Sequence, residues 1–134
     1  MRSVETVPGR AVVVHGLAHA CLALEARRPV LLLSAMGAGV YAGAAWWLAI
    51  MAALEGAWPP GCHRRDLLDC ADSPGAAMQA LRLGQCRVIL AADCAGLPAV
   101  AAAATALGAP IATPRPPALD LADPADRRVF DALV

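Results

Sequence analysis

The chain has no lysine, and residues that carry charge make up only 16% of it, against about 25% in an ordinary globular domain. Eleven arginines are matched by eleven acidic residues, so the formal net charge is zero. With no long-range field to draw in polyanions, binding to nucleic acid or to an acidic membrane surface is not expected. Closely spaced cysteines are also missing. The five that occur, at positions 21, 62, 70, 86 and 94, include no C-x-x-C pair and are odd in number, which points to reduced thiols and a cytoplasmic protein. Residues 1–8 lack the apolar stretch of a secretory signal, so export is not expected.

Apolar side chains, by contrast, are in excess: 59% of the chain against about 45–50% in a typical domain. The 134 residues fit one domain, 1–134, large enough for a self-sufficient core. Alanine supplies much of the excess but buries little area per residue, so valine and leucine runs must provide most of the driving force. Residues 35–54 carry no charge and approach the roughly 20 apolar residues that cross a bilayer. Gly37, Gly39 and Gly43 interrupt that run, and a strand-like stretch from Val30 to Leu33 leads into it. A buried helix is therefore expected there, and no membrane span.

The apolar runs fall into a repeating order. Residues 11–14 and 30–33 are short, continuous and branched or leucine-rich, as strands covered on both faces are; 66–70, 87–91 and 110–113 read as three more. Between them lie helical patterns. Leu17, Cys21, Leu24 and Arg28 recur at helical spacing until Pro29. Tyr41 to Ala57 reads as one long apolar helix stopped by Trp58-Pro59-Pro60-Gly61. A third helix is capped by Ser73 and opened by Pro74, and an alanine-rich fourth closes at Gly108. Residues 114–134 are predicted to be an extended, proline-restricted tail with a short terminal helix over 126–134.

Strands alternating with helices at about 20–30 residue intervals predict an α/β fold: a single three-layer α/β/α domain around a five-stranded, mainly parallel sheet. The expected strand order is flavodoxin-like, 2-1-3-4-5, or Rossmann-like. Ligands of such sheets bind beyond the carboxyl ends of the strands. Reading those ends gives His15 and Gly16, then Ser34 and the glycine loop, then Asp69, Cys70 and Asp72, then Asp93 and Cys94, and finally Thr113.

Each candidate has a chemical and a structural use. The loop from Gly37 through Gly39 to Gly43 is G-x-G-x-x-x-G, one residue longer than the dinucleotide fingerprint. Its glycines either let backbone approach an anion or let the helix pack closely on the sheet. Asp69 and Asp72 suit a general base or a ligand to sugar or amine, whereas Asp72 and Ser73 also suit a helix cap. His15, Ser34 and Asp69 contain the chemical types of a hydrolytic triad, although Leu33-Ser34-Ala35 is not a nucleophile elbow. Cys70 and Cys94 each follow an aspartate, which disfavours the thiolate, so inert thiols are expected. Cys62-His63 lacks two further ligands at zinc spacing, and no metal is expected. No particular cofactor is implied.

The resulting expectation is a small α/β protein, either a binder or an enzyme with His15 and Asp69 as its catalytic candidates, that takes a small anionic or nucleotide-like ligand at the carboxyl edge of its sheet. Gly37 and Gly39 would approach the anion, Ser34 would donate a hydrogen bond, Asp69 would orient the ligand, Asp72 and Asp93 would line its pocket, and His15 would exchange a proton. The alternative is a non-catalytic interaction subunit that docks through the apolar helix 41–57 and the proline-rich tail. Trp46 or Trp47 would then be buried in a homodimer.

Overall fold

The computed structural model describes residues 11–61 and 64–133. Residues 1–8, Cys62, His63 and the last residue of the predicted terminal helix lie outside the described residues. The fold is α/β, with a five-stranded, all-parallel sheet and intervening helices. β1 (Ala11–Val13) and β2 (Leu31–Leu33) are buried at every position, which accounts for their unbroken apolar sequence. Ala11 pairs with Leu31 and Val13 with Leu33. β3 (Asp66–Asp69) pairs in parallel with β4 (Val88–Ile89), and β5 (Leu119–Asp120) with β1. Asp66 opens β3 while buried, and the Nε and Nη2 of Arg64 hold its carboxylate at 2.6 and 3.1 Å.

Two expectations about the sheet are corrected. Its order is β4-β3-β2-β1-β5, neither 2-1-3-4-5 nor the Rossmann arrangement. Each of the first four strands adds beside its predecessor, and only β5 returns to the free edge of β1. The second correction concerns residues 110–113, where only Ala112 joins the sheet, through one parallel bridge to Ile89. Pro110 and Pro114 flank that bridge and have no N–H to donate, so the ladder stops after a single contact. The fifth strand instead forms past the prolines, inside the predicted tail.

The helices follow their local signals. α1 (Leu17–Glu25) ends before Arg27, which has a left-handed backbone. The long helix expected over 41–57 is shortened to α3 (Ala44–Ala53), and a separate turn of helix, α2 (Ala38–Tyr41), forms largely within the glycine loop before it, divided from α3 at Gly43, which adopts φ +90°. α4 (Pro74–Arg82) starts as predicted: the Ser73 hydroxyl accepts from the Ala76 N–H at 3.1 Å, and proline occupies the first turn. α5 (Leu97–Ala106) and α6 (Pro124–Leu133) complete the chain. No helix among the described residues is long and apolar enough to cross a membrane.

The described residues divide into two compact units. One takes in the described chain through Leu33, Ile50–Asp66, and the chain from Pro116 onward; the other comprises Ser34–Ala49 and Leu67–Arg115. In the first, Val12, Leu31, Leu32 and Leu33 are fully buried, each contributing about 1.5–3 kcal/mol relative to exposure, with Leu24, Leu121 and Phe130 also in the core. In the second, Trp47, Leu67, Leu68, Val88 and Leu90 form the core. Burial of Trp47 within its own chain leaves α3 an outer surface of alanines, at 45, 49, 52 and 53.

Gly39 shows how tightly the second unit is packed. A Cβ there would lie 2.8 Å from the Cys70 Sγ and 3.0 Å from the Asp69 carbonyl oxygen, so only glycine lets α2 approach the end of β3. Gly75, in the first turn of α4, has open space at the same position. Gly39→Ala is expected to lower stability by about 1–3 kcal/mol in urea denaturation. Gly75→Ala is expected to raise it by about 0.5 kcal/mol.

Candidate functional site

β3 ends on a buried carboxylate. Asp69 is 3% exposed, and three donors meet it: the N–H groups of Ala71 (2.8 Å) and Gly37 (3.2 Å) at Oδ1, and Arg115 Nη1 (2.8 Å) at Oδ2. The two backbone donors reach it because Gly37 and Ala71 both take positive φ, +76° and +52°. Ala71 does so with a side chain, a conformation uncommon outside glycine. Ser34, the residue after β2, closes the network. Its hydroxyl accepts from the Asp69 N–H at 2.9 Å and donates to the Ala35 carbonyl, while its own carbonyl accepts from Arg115 Nη2 at 2.9 Å. Removing one partner from a buried pair of this kind typically costs about 3–5 kcal/mol, because the other charge is left uncompensated.

Arg115, with a side chain 21% exposed, is therefore held over the strand ends. A guanidinium has five N–H donors. Two are engaged by Asp69 and Ser34, and the other three have no partner among the described residues. They belong to a side chain that lines a cleft of about 460 Å³, within the usual range for small-molecule sites of about 300–1,000 Å³. Ile89, Leu90, Ala91 and Ala92 give the cleft an apolar floor; Met36, Ala71, Asp72, Asp93, Thr113 and Pro114 complete its walls with Asp69 and Arg115. A smaller depression of about 300 Å³ adjoins it, lined by Asp72, Pro74, Asp93, Cys94, Ala95 and Gly96.

The structure thus brings Ser34, Gly37, Asp69, Asp72 and Asp93 into one unit, in different capacities. Asp72 and Asp93 are exposed on the cleft, with no side-chain partner among the described residues. Ser34 and Asp69 lie beneath it and hold Arg115. The Gly37 N–H is already occupied by Asp69, and Gly39 is a packing position. The glycine loop thus serves the protein's own carboxylate. His15 belongs to the other unit, where its Nε2 lies 2.8 Å from Asp120 Oδ1 and its N–H donates to His19 Nδ1 at 3.2 Å. Among the described residues no group of three or more histidine, cysteine or acidic side chains is arranged to hold a metal ion.

Arg115 and Asp120 are the residues that sequence reading did not single out. Both sit in the proline-rich segment taken for a tail. The available signal was a lone arginine between Pro114 and Pro116, directly after an apolar segment, and an aspartate between two leucines. No family model, curated protein or solved structure matches this chain.

Cys70, one residue past Asp69, is fully buried. Burial first, and the neighbouring Asp69 charge second, push its thiol up from 9.0 to about 12, so it is protonated at neutral pH and is no nucleophile. With the folded value above the unfolded one, Cys70 leaves stability unaffected below about pH 9 and lowers it progressively from there to about pH 12. In thiol labelling at pH 8, exposed Cys21 and Cys86 are expected to react in the native state. Cys70 is expected to react only on unfolding, as peptide mass spectrometry would show.

Proposed function

We propose that this protein binds a small anionic metabolite, in a cleft beyond the carboxyl ends of β3 and β4, with Arg115 meeting the carboxylate or phosphate of the ligand. One observation carries the reading: a largely buried guanidinium, positioned by Asp69 and Ser34, has three N–H donors left and lines a ligand-sized cleft. A planar donor fork held in place in this way recognises acceptor groups with little loss of side-chain entropy. The apolar floor at Ile89–Ala92 suits the hydrocarbon or ring portion of the same molecule, including a nucleotide-like one. Free thiols at Cys21, Cys70, Cys86 and Cys94 support a cytoplasmic setting.

The reading is tested by calorimetry with carboxylates, nucleoside monophosphates and sugar phosphates. A bound member of the panel is expected to weaken at least about tenfold in Arg115→Gln, the loss typical of a charge-assisted hydrogen bond. Arg115→Lys, which keeps the charge that Asp69 requires, is expected to fold normally and still bind less tightly, because it lacks the fork. Absence of binding across the panel, or undiminished binding by both variants, overturns the reading.

A second reading, self-association, rests on a different observation. Met36, Val40 and Tyr41 are 71%, 54% and 70% exposed, and together they give α2 and the loop before it an apolar outer surface. A homodimer built on this surface is expected to show twice the chain mass in light scattering and to become monomeric in Tyr41→Glu. A single-chain mass at every concentration removes it.

A further inference from the structure

We propose that the ligand of this cleft is an amino-carboxylate: a molecule with a carboxylate for Arg115, an ammonium group for Asp72 and Asp93, and a hydrocarbon body between them. This rests on the contact between Arg115 and a ligand carboxylate in the binding reading above, and gives the same molecule a compensating ammonium group. Among the described residues the charged residues that line the cleft are Arg115, Asp69, Asp72 and Asp93. Asp69 is paired with Arg115, so those two charges offset one another. Asp72 and Asp93 are left without a counter-charge.

The positions of these two aspartates follow from the fold. β3 and β4 are parallel neighbours, so the turns that leave them run side by side. The Ala91 N–H donates to the Ala71 carbonyl at 2.8 Å, and the Cys94 thiol lies 3.5 Å from the Asp72 carbonyl oxygen. These contacts tie the two turns together. Both residues consequently line the main cleft and the adjoining depression.

An acidic rim alone is ordinary solvated surface. It becomes half of a site here because Arg115, on the same cleft, presents unpartnered donors from a side chain only 21% exposed. Those donors are open to an acceptor, and the rim is open to a cation. A phosphate would satisfy the first while bringing further negative charge beside Asp72 and Asp93. A simple amine would satisfy the second and leave Arg115 without an acceptor. One molecule that carries both groups satisfies the two together, and its methylene or side-chain carbons lie on the apolar floor at Ile89–Ala92.

The experiment is isothermal calorimetry on the full chain. Leucine, γ-aminobutyrate and ε-aminocaproate are compared with butyrate, caproate, hexylamine and a nucleoside monophosphate. The best amino-carboxylate is expected to bind at least about tenfold tighter than the matching carboxylate that lacks the amine. Asp93→Asn and Asp72→Asn, both at exposed positions and expected to fold normally, should each erase most of that difference while leaving the plain carboxylate unaffected. Arg115→Lys should weaken both ligands. If the plain carboxylate or the nucleotide binds as tightly as any amino-carboxylate, or the two asparagine variants keep the preference, the inference is overturned and the binding reading stands. If nothing in the set binds, the inference is overturned, and the binding reading falls with it once the sugar phosphates of the wider panel also fail to bind.

Discussion

The ion pair between Asp69 and Arg115 is the constraint on which the second unit depends. A carboxylate at the end of a buried strand requires compensation, and here it comes from two backbone turns and one distant arginine. Each donor fixes a segment: Gly37 the loop before α2, Ala71 the turn after β3, Arg115 the chain that has just left its single bridge at Ala112. That last segment has almost no ladder of its own. Arg115, through Asp69 and the Ser34 carbonyl, provides the fixed hydrogen bonding that Pro114 and Pro116 withhold from the backbone.

This dependence explains which parts of the fold were legible in the sequence. β1 and β2 could be read because a strand buried on both faces is an uninterrupted apolar run, and α4 because Ser73-Pro74 is a start signal written within two residues. The boundary at Gly43 was harder to see. Glycine in an apolar run costs a helix only about 1 kcal/mol, so composition alone did not decide between a weak position and a break. Strand order was not legible for a different reason. Buried parallel strands carry similar side chains on both faces, so nothing in the runs at 11–13 and 31–33 marks the edge at which a later strand adds.

The candidate site was legible by location and not by role. Reading strand ends selected Ser34, Asp69, Asp72 and Asp93, all of which lie in or under the cleft, because polar groups are tolerated in a buried sheet only where strands stop. Their division into supports and exposed groups depends on Arg115, which is 46 residues from Asp69 in sequence. No local pattern encodes such a pairing. In open parallel sheets ligands also favour the point where strand order reverses, and here that point lies elsewhere. Strand order reverses between β1 and β5, where His15 meets Asp120 in the first unit. The cleft lies at β3 and β4, where order does not reverse.

The arrangement around Arg115 also bears on why a charge is buried here at all. Buried ion pairs seldom stabilise a fold more than apolar side chains of equal volume would. Stability alone is therefore a poor reason to bury the pair, even though the Gly37 and Ala71 N–H groups rely on the Asp69 carboxylate once it is there. Position is a better one. An exposed arginine samples many rotamers and loses that freedom when it meets a ligand, whereas Arg115 has already lost it on folding. Asp69 and Ser34 thus convert folding free energy into a donor group of fixed direction. The same logic makes Gly39 necessary, since any side chain there would displace the end of β3 and with it the carboxylate that aims the guanidinium.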